Sequence, residues 1–90
     1  MEKSKMTVRK ATENDFQLAK NWATWNREVS VFSWEYDVTE TCYILEGKAE
    51  VTDQYGNKIE FEAGDLVIFE KGLHCNWNIT SPIRKKYLFG

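Results

Sequence analysis

Glu40 is the residue whose position in this sequence most clearly suggests chemistry. It lies in the stretch WEYDVTETCYILEG, residues 34 to 47, where it shares one face of a predicted strand with Cys42 and Ile44. A carboxylate on an apolar inward face must be paired, hydrated or protonated, because isolated burial of a charge is very costly. Glu40 is therefore either held by a neighbouring hydroxyl such as that of Tyr36, or it is an acid or base that faces a small ligand.

Aromatic side chains occupy alternate positions just before this carboxylate. Phe32, Trp34 and Tyr36 share one face of a strand, and Trp77 is placed by the same alternation on the inward face of a later strand. These rings either fill the core or line a cavity, where they would stack on a planar or sugar-like ligand and offer polar tips to it. The ligand-binding residues predicted on the second interpretation are Phe32, Trp34, Cys42 and Trp77.

Two cysteines and one histidine complete the reactive side chains. Cys42 and Cys75 are too few for a disulfide framework and lack the close spacing of a zinc ribbon, so we expect free thiols. An inward Cys75 is either a small apolar filler or a reactive thiol, whereas alternation directs its neighbour His74 outward or into a turn. The candidate catalytic residues are Glu40, Tyr36 and Cys75.

Short strands separated by turns must position these side chains. Turn-forming residues recur at DQYGN (53 to 57), EAGD (62 to 65), EKGL (70 to 73) and TSP (80 to 82). Turn signals this regular predict an all-β sandwich or barrel, in which alternate residues fill the interior or border a small ligand site.

One short helix, near residues 13 to 22, is expected before these strands. Thr12 is followed three residues later by Asp15, an acidic variant of the capping signature. Apolar residues then recur at helical spacing at Leu18, Trp22 and Trp25. We predict that residues 1–27 form an arm and helix packed on a barrel formed by residues 28–90.

Composition limits the function classes. Twelve Lys and Arg stand against fourteen Asp and Glu, a net charge of −2, so no basic field exists to hold nucleic acid. The longest apolar run, LVIF at 66 to 69, is too short to span a bilayer, and MEKSKMTVRK lacks an apolar signal region. We expect a cytoplasmic domain with no nucleic-acid or membrane partner.

Leftover apolar side chains suggest self-association. Tyr43 and Leu45 lie on the outward face of their strand. With Trp22 and Trp25, they would leave apolar surface that a second subunit could cover in a homodimer. The final segment RKKYLFG is interpreted as an edge strand protected by charge, with residues 84–86 as a solvated basic cluster.

The spacing of glycines and Glu40 resembles that of the cupins, over about residues 28 to 89. Glu40 precedes Gly47 by six intervening residues, and Trp34-x-Tyr36 stands where the first cupin motif has His-x-His. The series Gly64, Glu70, Gly72, Cys75 and Ile79 resembles the second cupin motif, with Glu70 in place of Pro and Cys75 in place of His. In the first motif, Glu28 stands in place of the leading Gly. The resemblance is to small single-domain (RmlC-like) cupins, near ureidoglycine aminohydrolase and the ethanolamine-utilisation cupin, and implies a double-stranded β-helix (jelly-roll) barrel.

The metal site of the cupins is not expected to carry over. Indole has no lone pair for a metal, Tyr36 would ligate only as phenolate, and one phenol, one carboxylate and one thiolate form an unusual set. We predict no cofactor and no metal ligands. Three functions remain open: binding of a small polar metabolite, acid/base chemistry through Glu40 on a small ureido, amino or sugar compound, and a non-catalytic interaction domain.

Overall fold

The computed structural model describes residues 4–90 and has eight elements of secondary structure. In chain order these are β1 (Met6–Lys10), α1 (Glu13–Ala19), β2 (Ala23–Arg27), β3 (Ser30–Glu35), β4 (Glu40–Asp53), β5 (Lys58–Glu62), β6 (Asp65–Phe69) and β7 (His74–Phe89). Every strand pairing is antiparallel. The predicted all-β jelly-roll architecture with one short helix is confirmed.

The two longest strands, β4 and β7, pair along most of their length, and each contributes to both layers of the structure. In the first layer, their residues 40–44 and 83–89 are flanked by β6 and then β1 on one side and by β2 on the other. Their second layer, near residues 48–53 and 74–81, continues to β5 and to β3. The inward faces of both layers therefore meet across one core.

A bulge marks the place where β4 and β7 pass from one layer to the other. The pairing register shifts between Glu46 and Lys48, and Gly47 lies there with φ of +93°. A Cβ on Gly47 would lie 2.1 Å from the carbonyl oxygen of Pro82, so only glycine permits this close approach of the two backbones. The TSP segment was wrongly interpreted as a turn, because β7 runs through Pro82 at the bulge without ending.

The other three turn predictions are confirmed. Chain reversals at residues 54–56, 63–64 and 71–72 separate β4 from β5, β5 from β6 and β6 from β7. In the first of them, the Asp53 carboxylate accepts hydrogen bonds from the backbone N–H groups of Tyr55 and Asn57, at 2.9 and 2.8 Å. Local side-chain chemistry thus fixes this turn, as the sequence indicates.

The N-terminal region forms a helix shorter than predicted and two strands. The capping box is present, since Thr12 Oγ1 accepts from the Asp15 N–H and the Asp15 carboxylate accepts from the Thr12 N–H. The helix ends at Ala19, so the helical interpretation of Trp22 and Trp25 was wrong: Trp25 lies in β2 and pairs with Lys85 of β7. Two strands that precede residue 28, β1 and β2, thus belong to the same sheet as the later strands.

The core confirms the alternation read from the sequence. Glu40, Cys42 and Ile44 are all buried, as are Cys75, Trp77 and Ile79. Aromatic rings form the contacts within it: Tyr36 stacks on Phe69 at 4.9 Å, and Phe61 meets Trp77 edge-on at 5.4 Å between ring centroids.

Two surface predictions need correction. Tyr43 and Leu45 are half-buried rather than exposed, and the ring of Phe16 in α1 contacts that of Tyr43 at 5.9 Å between centroids. β7 is not an edge strand, because its C-terminal half pairs with β2 on one side and β4 on the other. The homodimer stays a prediction. Among residues 4–90, no helix has the length and apolar character needed to cross a membrane.

Candidate functional site

A cavity of about 280 Å³ opens between β2, β3 and the C-terminal half of β7. Seven aromatic side chains form most of its wall, and one carboxylate and one ammonium group lie among them. The lining residues are Trp25, Phe32, Trp34, Tyr36, Glu40, Trp77, Lys85, Tyr87 and Phe89. An apolar concavity with a few convergent polar groups is typical of a small-molecule site.

Glu40 is paired with Lys85, a residue 45 positions away. The Lys85 Nζ donates to Glu40 Oε1 at 3.2 Å and to Oε2 at 3.3 Å. Glu40 is 5% exposed and Lys85 is 4% exposed, so the ion pair is shielded from bulk water. Pairing with a hydroxyl such as that of Tyr36 was one of the two alternatives for Glu40, and the structure instead pairs this carboxylate with the Lys85 ammonium. The interpretation of residues 84–86 as a solvated cluster was wrong at Lys85.

Soft and aromatic groups surround the rest of the Lys85 ammonium. Its Nζ lies 4.7 Å from the ring centroid of Trp25 and 4.9 Å from that of Trp77, within the range of cation–π attraction. It also donates to Cys42 Sγ at 3.4 Å. The charge is thus stabilised by Glu40 and by two indole faces rather than by water.

The indole of Trp77 brings an unsatisfied donor to the same region. Trp77 is 2% exposed, and its Nε1–H has no hydrogen-bond partner among residues 4–90. The Tyr36 hydroxyl and the Cys75 thiol lie close to this donor, which partly offsets the rise in pKa that burial causes in each.

Burial keeps the neighbouring phenol and thiol protonated. Burial first, and then the negative charge of Glu40, raise the pKa of Tyr36 far above its ordinary value. Burial likewise raises the pKa of the Cys42 thiol to about 12, although the nearby Lys85 lowers it. Tyr36 therefore presents a neutral phenol to the cavity at neutral pH, and Cys42 is a neutral thiol in contact with Lys85.

Cys75 and His74 line a second cleft, of about 460 Å³, which shares Trp34 with the aromatic cavity. The Cys75 Sγ donates to the Trp34 carbonyl oxygen at 3.6 Å, and burial raises the pKa of this thiol to about 11. His74 Nε2 lies 3.8 Å from Glu35 Oε2, and both of these side chains are mostly exposed. The catalytic role predicted for Cys75 stays a prediction, on a surface separate from Glu40.

The cavity brings together five of the seven residues proposed from the sequence. These are Phe32, Trp34, Tyr36, Glu40 and Trp77. Cys42 contacts Lys85 through its Sγ, and Cys75 lies in the second cleft. The sequence interpretation missed Trp25, Lys85, Tyr87 and Phe89. Extending the alternation of β7 past Pro82 would have placed Lys85 on the inward face. Ile79, Ile83 and Lys85 are all buried.

These residues do not fit the His-ligated metal that the cupin resemblance implies. Trp34 supplies no lone pair, and both oxygens of Glu40 already accept from an ammonium group that would repel a divalent cation. Within the described range, no group of three or more His, Cys, Asp and Glu side chains is arranged to hold a metal ion.

Comparison with known proteins identifies the relatives of this chain. A family model described as the EutQ-like cupin domain matches residues 14–87. No curated protein matches the chain.

Solved structures share the fold. A DUF861 family protein from Thermotoga maritima is 46% identical, with 94% of this chain and 99% of that chain covered and a TM-score of 0.91. A putative ethanolamine utilization protein Q from Salmonella typhimurium LT2 is 20% identical over 96% of this chain and 58% of that one, with a TM-score of 0.68. The EutQ protein of Clostridium difficile is 16% identical over 93% and 66%, with a TM-score of 0.69. The two latter likenesses concern the fold alone.

Proposed function

Because the chain belongs to the EutQ-like cupin domain family, we propose that it binds a small polar metabolite in the aromatic cavity of its barrel without a His-ligated metal. The observation that carries the proposal is the buried Glu40–Lys85 ion pair in the wall of that cavity. A packed interior gains little from such a pair, because apolar side chains of similar volume are often at least as stabilising. A ligand site, in contrast, needs polar groups at fixed positions.

The polar groups of the cavity define what the metabolite carries. Glu40 accepts hydrogen bonds from N–H or O–H groups, whereas the protonated Tyr36 hydroxyl can donate to an acceptor. The opposite charges of Glu40 and Lys85 leave the cavity without net charge, which favours a neutral ligand with both donor and acceptor atoms. An amide or ureido group has this combination.

The aromatic walls define the shape of the metabolite. Phe32 and Trp77 stack on each other, with 5.7 Å between ring centroids and 14° between ring planes, and Arg27 lies 3.9 Å from the Phe32 centroid. Contacts within the protein therefore occupy these ring faces, which leaves Trp34 among the most exposed rings of the cavity. Trp34 is half exposed at the opening of the cavity and meets Tyr36 edge-on. Flat rings held in place by packing favour a flat ligand that stacks on them.

Benzamide is a suitable probe, because it is planar and carries an amide donor and acceptor. We expect benzamide to shift the NMR signals of the indole N–H groups of Trp25 and Trp77, with saturation at millimolar concentration. Trp34→Ala should weaken this binding about fivefold, which corresponds to about 1 kcal/mol for a lost aromatic contact. Val31→Ala is the matched control, since Val31 lies on the same strand, is 74% exposed and does not line the cavity.

Cyclohexanecarboxamide tests the preference for planarity, because it has the same amide on a puckered ring. Weaker binding than benzamide is expected. If neither probe perturbs the cavity residues, or if Trp34→Ala and Val31→Ala change binding equally, the proposal is wrong and a packed interaction domain becomes the better interpretation.

Elemental analysis tests the second part of the proposal. Protein purified without chelator or affinity metal should contain far less than one equivalent of Mn, Fe, Ni or Zn. A stoichiometric metal that Glu40→Ala removes would contradict the proposed metal-free site.

A further inference from the structure

The buried amine of Lys85 has a location that fold stability does not explain. Lys85 lines the cavity, yet it is 4% exposed and has Glu40 as its counter-ion. Burying such a pair removes two charges from water, and its net contribution to stability is commonly small or negative. A lysine kept in an apolar ligand cavity is, by its chemistry, a nucleophile toward carbonyl compounds once its proton is removed.

Glu40 is placed to remove and return that proton. Both of its oxygens are within hydrogen-bond distance of Lys85 Nζ, at 3.2 and 3.3 Å, and Glu40 also lines the cavity. A base in direct contact with the nucleophile is the arrangement that activates amine and hydroxyl nucleophiles in enzymes.

We propose that Lys85 forms an imine with a small aldehyde or ketone, which rests on the proposed function that the cavity admits a small molecule. The Glu40 carboxylate takes one proton from the Lys85 ammonium, and the Nζ lone pair forms a bond to the carbonyl carbon. The carbonyl oxygen receives the proton from Glu40, and Nζ passes a second proton to Glu40. This proton leaves with the hydroxyl group as water, and a C=N bond remains.

The balance of this step requires no other reagent. One ammonium and one carbonyl give one protonated imine and one water, with no oxidation or reduction. The protonated imine carries the same positive charge as the ammonium it replaces. Glu40 and the rings of Trp25 and Trp77 therefore stabilise it as they stabilise Lys85. The apolar wall also limits the water that would reverse the reaction.

The cavity selects the class of carbonyl compound. Its volume of about 280 Å³ and its aromatic lining, with Trp34 half exposed, suit a small compound with a flat body, such as an aromatic or conjugated aldehyde. A free cationic group on the ligand is disfavoured beside the Lys85 ammonium.

Reductive trapping with benzaldehyde and sodium cyanoborohydride tests the inference on the unmodified chain. Peptide mapping should find one benzyl group on Lys85, added about tenfold faster than on Lys48, whose side chain is 66% exposed. Labelling of Lys48 and Lys58 at the same rate as Lys85, or faster, would overturn the proposal.

Three variants test separately whether Lys85 is the nucleophile, whether Glu40 is the base, and whether a change in the fold explains a loss of the adduct. Lys85→Arg keeps a cation beside Glu40 and should lose the adduct, whereas the matched control Lys86→Met should keep it. Glu40→Gln should slow trapping about a hundredfold, as expected for a lost proton-transfer group. An unchanged rate in Glu40→Gln would overturn its role as the base. Peptide mapping of the unmodified chain decides the question if a variant does not fold.

Benzyl alcohol distinguishes failure of this inference from failure of the proposed function, since it has the same ring without the carbonyl group. If it perturbs the indole N–H signals of Trp25 and Trp77 while benzaldehyde gives no Lys85 adduct, the cavity binds small molecules and the imine proposal is wrong. If benzyl alcohol and benzamide both leave these signals unchanged and no Lys85 adduct forms, both proposals are wrong.

Discussion

Replacing the buried ion pair by apolar side chains should cost much less than removing either of its members. Lys85→Met leaves the carboxylate of Glu40 without its cation in a site that is 5% exposed. Glu40→Leu leaves the Lys85 ammonium without its anion. Each of these changes should lower the free energy of unfolding by about 3–5 kcal/mol, the usual cost of an uncompensated buried charge.

The double variant Glu40→Leu/Lys85→Met removes both charges and fills the space with side chains of similar volume. Since this exchange is often neutral or stabilising, its free energy of unfolding should lie above that of both single variants. The coupling energy should be at least about 2 kcal/mol, because the two groups are in direct contact at 3.2 Å.

Urea unfolding at neutral pH measures these values, with the slope m checked for each variant. In a chain of 90 residues, about 1 kcal/mol corresponds to about 4–8 °C in Tm. Each single variant should therefore lose at least about 12 °C, while the control Lys71→Met, at an exposed position, should change stability by less than about 0.5 kcal/mol. Additive losses in the double variant would refute the reasoning, because they would show that Glu40 and Lys85 do not depend on each other.

Three further perturbations test the fold and its titrating groups. Gly47→Ala should lower the free energy of unfolding by more than about 2 kcal/mol, because the new Cβ would lie 2.1 Å from a backbone oxygen. Gly56→Ala should lower it less, because a Cβ there has no atom within 4 Å. Equal losses in urea unfolding would contradict the bulge geometry. Hydrogen bonds from Arg9 and from Thr12 hold the pKa of Asp15 well below its usual range, so its contribution to stability is present above about pH 4 and is lost as pH falls. Asp15→Asn should therefore reduce the loss of stability at acid pH, and an unchanged loss would contradict this. Burial raises the pKa of Cys42 to about 12 and of Cys75 to about 11, so Ellman's reagent at pH 7.5 should react with neither thiol until the chain unfolds, and a rapid reaction of the native protein would show an accessible thiolate.

Local pattern determined much of the fold. Alternation within single strands correctly placed Glu40, Cys42 and Trp77 inward, since side chains two positions apart share a face whatever the strand pairs with. The capping box at Thr12 and three turns were also predicted correctly, because each depends on contacts between residues close in sequence.

The wrong predictions arose where the local sequence pattern of a strand or helix is interrupted. A Ser-Pro pair after Thr80 resembles a turn, yet Pro82 lies within β7 at the bulge beside Gly47. Ending the strand there hid the alternation that continues to Lys85. Trp25 lies at helical spacing from upstream apolar residues but is part of a strand, because pairing with β7 decides its conformation.

The composition of the site could be predicted only in part, for a physical reason. The sequence showed that Glu40 faces inward and needs a partner, because a buried carboxylate cannot remain alone. It could not identify that partner, since Lys85 lies 45 residues away and reaches Glu40 only through the pairing of β4 with β7. The sequence by itself thus determined the all-β fold and the inward carboxylate, whereas the tertiary structure decided which charge neutralises it and which rings enclose the pair. Burial and ion pairing depend on contacts between distant segments, and no local pattern contains them.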